Sequence, residues 1–251
     1  MLTVIVPTYN RLELLRIAVA SLLTQKDTLP VALDVLVVDD GSSDGTSDWL
    51  GELQRGEPSL RVVRQENGGV TDARNTGLAQ LLPQTAFVTF LDSDDASPKG
   101  ALAAQLAPLL DDQQLELAYG KMLMVDAIDP LSREPAEGAR KLDLVGIHLS
   151  CAMFRRSLIE RIGRFDPEFR QAEDTDYLLR TFEADTRFVQ TDTICLYYHR
   201  HDGNMTKKQE ESRRYFALAI QKSIRRRRAD PSIRLVKPSF EVQAIGTAEF
   251  F

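Results

Sequence analysis

Four apolar, β-rich runs alternate with helix-like stretches in the first 95 residues, and each run ends in a polar loop. That alternation leaves few folds open, because it is the pattern of parallel strands joined by right-handed helical crossovers. Residues 2–6, 34–38, 60–64 and 86–91 read as the strands. The second is almost wholly apolar, as expected for a strand covered on both faces. Between them, Asn10 is placed to cap a helix reaching residue 25, in which Leu12, Leu15, Val19, Leu22 and Leu23 recur at helical spacing. Residues 46–54 suit a second helix, and Thr71 is placed to cap a third through residue 82. Open parallel sheets bind ligands at the carboxyl ends of their strands, so the four polar loops are where function is expected.

The rest of the chain is less regular. Residues 98–110 read as helix, 115–125 as a strand interrupted at Gly120, 126–145 as a long loop with Pro130, Pro135 and Gly138, and 151–155 as strand. Residues 157–162 and 173–184 read as helices, the latter with an acidic start. Residues 207–228 form a charged helical segment whose apolar part is Tyr215, Phe216, Leu218, Ala219 and Ile224. A length of 251 residues with 43% hydrophobic and 27% charged residues allows one large packed domain with an appendage. The net charge of −6 argues against nucleic acid as a partner. Cys151 and Cys195 have no metal or redox spacing, which predicts reduced structural thiols in a reducing compartment. The chain enters its first strand directly and holds no apolar run of the roughly 18 to 20 residues that cross a bilayer, so a cytoplasmic protein is expected.

Chemistry concentrates in the loops. Phe90-Leu91-Asp92-Ser93-Asp94-Asp95 sets three carboxylates within four positions. Such crowding is unfavourable without a cation, and hard divalent ions take carboxylate oxygens together with substrate phosphates. The same string also suits a solvated acidic turn before Pro98. In residues 37–46, Asp39 or Asp40 can accept hydrogen bonds from a base or ribose, while Gly41, Ser42, Ser43 and Gly45 bring backbone amides close to a ligand. An ordinary strand-to-helix turn has the same composition. Pro7-Thr8-Tyr9-Asn10-Arg11 offers a ring to pack on a base and a cation for phosphate. Asn67-Gly68-Gly69 opens the third helix, with Arg74 one turn in.

In their order and spacing, residues 4–11, 37–46, 67–78 and 90–95 resemble the inverting family two glycosyltransferases of the GT-A fold, a likeness covering about residues 1–205. The resemblance implies an α/β fold, a Rossmann-type mixed sheet flanked by helices, with a C-terminal helical extension. Its nucleotide-binding half would be residues 1–95, its acceptor-side half 96–205, and 206–251 a basic helical extension and tail. By the same resemblance Asp94, with Asp92, binds Mn²⁺ or Mg²⁺, Asp92 also faces the donor's ribose or sugar beside Ser93, and Asp95 assists. Asp40 meets the base, Pro7, Thr8 and Tyr9 line the nucleotide pocket with Arg11 and Asn67, and Arg74 approaches the donor.

Residues 163–177 resemble the family's acceptor-side signature, which makes Asp174 the general base with Glu173 as the fallback. An inverting displacement needs such a carboxylate opposite the leaving diphosphate. An acidic helix start favoured by the helix dipole reads the same way. Residues 198–206 resemble the basic loop that closes over the donor, giving His201, in preference to His199, as a metal ligand and Arg200 as a partner for the diphosphate. His148 receives no role.

The Gln-x-x-Arg-Trp string of processive synthases is absent, the sole tryptophan being Trp49, so one sugar would be added per reaction, in polysaccharide, glycolipid or glycoprotein assembly. The expected donor is UDP-, GDP- or dTDP-linked, and the acceptor a carbohydrate, a lipid-linked molecule or a protein. Arg225 to Arg228, preceded by Lys207, Lys208, Arg213, Arg214 and Lys222, suit either contact with anionic lipid at the inner face of a membrane or a solvated helix surface. Two alternatives stand beside this reading: a metal-dependent nucleotidyltransferase, which would call for a basic Gly-rich phosphate loop near the N-terminus, and a nucleotide-sugar-binding protein without turnover.

Overall fold

The structure is a computed structural model that describes residues 1–201, 203–204 and 209–240. The strands are β1 (Leu2–Thr8), β2 (Leu33–Asp39), β3 (Leu60–Arg64), β4 (Phe87–Phe90), β5 (Leu117–Val125), β6 (Lys141–Leu144), β7 (Ala152–Arg155) and β8 (Phe188–His199). The helices are α1 (Leu12–Leu23), α2 (Thr46–Gly56), α3 (Val70–Ala79), α4 (Ala101–Asp111), α5 (Arg156–Ile162), α6 (Glu173–Glu183) and α7 (Gln209–Ala229). One eight-stranded mixed sheet runs in the order β3-β2-β1-β4-β7-β5-β6, with β8 also paired to β5. The first four strands are parallel, whereas β7 enters antiparallel between β4 and β5.

Every residue of β1 and β2 is buried, which accounts for their lack of alternation. Register sets Thr8 beside Asp39 and Ile5 beside Phe90, so the acidic run leaves the sheet next to the end of β1. Helix α3 lies so close to β1 that a Cβ on Gly77 would come within 2.5 Å of the Ile5 side chain. The core joins Leu2, Ile5, Leu15, Leu36, Phe90, Phe154, Phe165 and Tyr177 into one cluster.

Several local expectations are corrected. Asn10 does not cap α1; it takes a left-handed turn (φ 49°), and the Leu12 amide is instead accepted by Asp44 (3.0 Å). Thr71 lies inside α3, which starts at Val70 after Gly69 at φ 89°, and its hydroxyl reaches the Phe169 carbonyl. The long loop expected over 126–145 contains β6, which pairs antiparallel with β5, and an Ile128–Pro135 bridge. Strand β5 continues through Gly120, but its register with β8 shifts there.

Helix α7 packs on α6 through Phe169, Leu179 and Ala219, flanked by Tyr215 and Leu218. Lys222 bridges Asp166 (2.6 Å) and Glu168 (2.5 Å), while Arg226 bridges Asp176 (3.0 Å) and Glu183 (2.5 Å). The chain then folds back: the Val236 amide donates to the Phe182 carbonyl (3.2 Å), and Phe240 meets the rings of Tyr119 and Phe182. Arg226 and Arg227 therefore serve the interior of the molecule, leaving Arg225 and Arg228 exposed. Lys207, Lys208 and residues 241–251 lie outside the described residues. No described helix is long and apolar enough to cross a membrane. Cys151 and Cys195 are free and buried.

Candidate active site

Short side chains lace the first three loops together. The Asn10 amide donates to Ser42 Oγ (2.9 Å), and Asn10 Oδ1 accepts the Ser43 amide (2.8 Å). Asp40 is 3% exposed. Its Oδ1 accepts the Gly68 amide (2.9 Å) and Gln65 Nε2 (2.7 Å), and its Oδ2 accepts the Gly69 amide (2.8 Å). Asn67 Nδ2 donates back to the Asp40 carbonyl (3.1 Å). The sequence leaves Asp39 and Asp40 as equals, and here they separate. Asp39 is fully buried and accepts the Ser42 amide and the Ser47 hydroxyl of its own loop and helix, whereas Asp40 holds the third loop through two of its amides.

Beside them, Pro7 is buried in β1, paired in register with Val38, and Tyr9 is 47% exposed. The hydroxyl of Thr8 is buried and has no hydrogen-bond partner among the described residues. An unmet polar atom at the end of a parallel strand is the kind of group that a bound molecule satisfies.

The fourth loop carries the charge. Asp94 Oδ2 receives Arg11 Nη1 (2.5 Å), lies 3.2 Å from His201 Nε2, and has Asn204 Nδ2 at 3.5 Å. Ser93 is buried beside it. Asp92 Oδ1 accepts Arg74 Nη2 (2.6 Å), and its Oδ2 lies 3.8 Å from His148 Nε2. Asp95 Oδ1 accepts the His199 amide (2.9 Å), while its Oδ2 has no hydrogen-bond partner among the described residues and lies 3.9 Å from His148 Nε2. Burial works to raise the Asp92 pKa, but the charge of Arg74 and its hydrogen bond hold it below its ordinary value. For Asp95, burial and then the charges of Asp94 and Asp92 push the carboxyl well above the usual range. Burial and the neighbouring His201 lower the pKa of His199. Arg200 is half-buried and donates its amide to the Val125 carbonyl (2.7 Å).

Arg74 is 3% exposed and joins two regions, bonding to Asp92 on one side and to Glu173 on the other. Burial opposes its charge, yet Asp92, Glu173 and Asp174 hold it firmly protonated. Glu173 is pushed up to about 7 by burial, which outweighs the pull of Arg74, and by Asp174. Asp174 is half-buried, with Oδ1 turned onto its neighbour's amide, Thr175 N (2.6 Å). The residue before this pair, Ala172, stands at φ 56°, a left-handed geometry that a Cβ makes costly and that concentrates at functional sites.

His201 Nδ1 accepts the Gly203 amide (3.1 Å), which leaves the neutral ring's proton on Nε2, so His201 meets Asp94 as a donor rather than as the metal ligand expected from the sequence, and the Arg11 guanidinium supplies positive charge at the same oxygen. Asp92, Asp95 and His148 form another group whose ligand atoms lie within 4.8 Å of one another. Such oxygen-rich sets suit a divalent cation. His148, given no role by the sequence reading, thus lies against the acidic run. No neighbouring motif marks it, and only the fold brings it there.

The model of the family described as glycosyl transferase family 2 matches residues 3–163. GgaA, the minor teichoic acid biosynthesis protein of Bacillus subtilis (strain 168), is 30% identical over 198 residues, 75% of this chain and 44% of that protein. The GalNAc(5)-diNAcBac-PP-undecaprenol beta-1,3-glucosyltransferase of Campylobacter jejuni is 40% identical over 191 residues, 69% of this chain and 57% of that protein. The chain thus spans about half the length of these relatives. Among solved structures, S. aureus TarS superposes with a TM-score of 0.61 at 27% identity, covering 79% of this chain and 36% of that one. The mannosyltransferase PcManGT from Pyrobaculum calidifontis, in complex with GDP-Man and Mn²⁺, gives 0.68 at 22% identity over 89% of this chain and 64% of its own. The sheet, the four loops at its carboxyl edge and the match over 161 of 251 residues (163 − 3 + 1) lead to one assignment: this chain belongs to glycosyl transferase family 2.

Proposed function

We propose that the chain transfers one glycosyl residue from a nucleoside-diphosphate sugar to an acceptor hydroxyl with inversion at the anomeric carbon. The observation that best supports this is the double attachment of Arg74. It links Asp92 on the donor-side loop to Glu173, whose neighbour Asp174 is the candidate base. A displacement needs donor and base held in one geometry, and a buried guanidinium with two carboxylate partners is a stiff means of doing so.

In this reading Thr8, Tyr9, Asp40 and Asn67 frame the nucleotide, with Pro7 setting the end of β1. Asp92 and Ser93 face the ribose or sugar, and Arg11 and Arg200 bring positive charge toward the diphosphate. Asp94, with Asp92 beside it, would hold the Mg²⁺ or Mn²⁺, which when bound supplies positive charge to the departing diphosphate, and His201 would steady Asp94 as a hydrogen-bond donor. Asp174, less buried than Glu173, removes the proton of the acceptor hydroxyl as its oxygen attacks opposite the leaving group. Glu173 holds Arg74. The name of the Campylobacter relative supports a saccharide on a lipid carrier as the acceptor class. The two free cysteines support a reducing, cytoplasmic setting. The nucleotidyltransferase alternative draws no support from the family match, and the inward turn of Arg226 and Arg227 weakens the case for membrane contact through that run.

The test is thermal unfolding with UDP, GDP and dTDP, with and without Mn²⁺, followed by diphosphate release from the matching sugar nucleotides. At least one nucleotide should stabilise the protein, by about 2.7 kcal/mol at a hundredfold excess over Kd. Asp94→Asn should lose the Mn²⁺-dependent part. Asp174→Asn should bind normally yet lose about a thousandfold in turnover. Stabilisation by none of the three nucleotides sinks the reading.

A further inference from the structure

His148 belongs to no motif and is 12% exposed at its side chain, yet three separate contacts fix its position. The phenol of fully buried Tyr119 donates to the Gly146 carbonyl (2.7 Å) and accepts the His148 amide (3.1 Å), which clamps the backbone ahead of β7. The ring packs edge-on to Tyr198 at 5.3 Å. Its Nδ1 accepts the Ser150 amide (3.3 Å). A nitrogen that accepts a backbone N–H has its lone pair engaged, so the neutral ring carries its proton on Nε2. That Nε2 lies near two carboxylate oxygens, just beyond hydrogen-bond reach, Asp92 Oδ2 at 3.8 Å and Asp95 Oδ2 at 3.9 Å, the latter buried and unpartnered among the described residues.

This arrangement bears on the group formed by Asp92, Asp95 and His148. A metal ligand must present a lone pair, and an Nε2 that carries a proton has none to present. The other oxygen of Asp92 is already bonded to Arg74, so a donor on Oδ2 would grip that carboxylate from both sides.

We propose that His148 is a positioning residue: its Nε2–H, aimed by the Ser150 amide on the far side of the ring, closes onto Asp92 Oδ2 and holds that carboxylate between imidazole and guanidinium. Asp95 Oδ2 is the adjacent acceptor. What Asp92 then touches rests on the donor reading above, whereas the state of the imidazole does not.

The chain has three histidines, so their side-chain nitrogens can be resolved by long-range ¹⁵N–¹H spectroscopy at neutral pH and assigned with single His→Gln variants. His148 should show a bare Nδ1 and a protonated Nε2, an Nε2 signal that moves in Asp92→Asn, and no loss of the Nε2 proton on adding Mg²⁺ alone. A proton on Nδ1, or loss of the Nε2 proton on adding Mg²⁺, overturns the proposal. In the companion experiment, Mn²⁺ affinity of His148→Ala should stay within about twofold of the parent protein. Its affinity for whichever of UDP, GDP and dTDP stabilises the parent should fall about tenfold, and His148→Gln, which keeps an N–H donor, should recover most of the loss. Loss of Mn²⁺ affinity in both variants, or unchanged nucleotide affinity in His148→Ala, also refutes it. If no nucleotide binds the parent, the donor reading fails while the spectroscopic result still decides the state of the ring.

Discussion

Glu173 and Asp174 are neighbours with different surroundings, and the difference divides their work. Glu173 is 5% exposed against Arg74, and its pKa is raised from 4.5 to about 7, chiefly by burial. A carboxyl with a raised folded pKa binds its proton more tightly folded than unfolded, so its contribution to stability is lost as pH rises from 4.5 toward 7. Urea unfolding across that range should show the parent protein losing stability relative to Glu173→Gln, with a level difference at higher pH. A pH-independent difference would show that Glu173 is ionised throughout. Asp92 and Asp94 stand out as candidates in the sequence because their spacing is local, and Asp174 through the resemblance carried by residues 163–177. The attachment of Arg74 to both regions was not legible, since its two partners lie 18 and 99 positions away. His148 was invisible for the same reason.

At the scale of elements, close packing sets the tolerances. Gly77 lets α3 approach β1, and Gly77→Ala should cost about 1–3 kcal/mol in thermal unfolding, because the new methyl meets Ile5. Helix α7 is held to α6 by charge as well as by Ala219. Arg226→Ala leaves Asp176 and Glu183, 1% and 4% exposed, with fewer compensating charges. Arg180 and Arg227 remain nearby and Arg226 is 28% exposed, so denaturant unfolding should register a loss of about 1–2 kcal/mol. The four parallel strands could be read in advance because apolar runs and crossover helices alternate with a fixed rhythm. Strand β6 hides among prolines and charges, since its Lys-Leu-Asp-Leu becomes a strand only by pairing with β5. Strand β8, with Val189, Thr191, Thr193, Ile194, Tyr197 and Tyr198, carries a usable β signal between the expected helix over 173–184 and the basic loop.

For the whole molecule, the decisive feature is that β7 enters the sheet between β4 and β5 although it follows both in sequence. No periodicity announces a strand insertion of that kind, because pairing is decided by long-range packing. Its effect is to bring the backbone after β6, with its imidazole, against an acidic run more than fifty residues earlier in the chain. The lacing of the first three loops acts over about half that span. Asp40 accepts two amides of the third loop, and Asn10 and Asp44 join the first loop to the second. With those loops already joined, a nucleotide would have little chain to organise on arrival. Hydrogen–deuterium exchange should therefore find the Gly68 and Gly69 amides slow before any nucleotide is added, and little slower afterwards. Replacing Asp40 by Ala should speed both. The lacing then becomes a matter of time as well as shape: capture would be governed by diffusion and ionic strength, and any slow step in turnover would fall elsewhere.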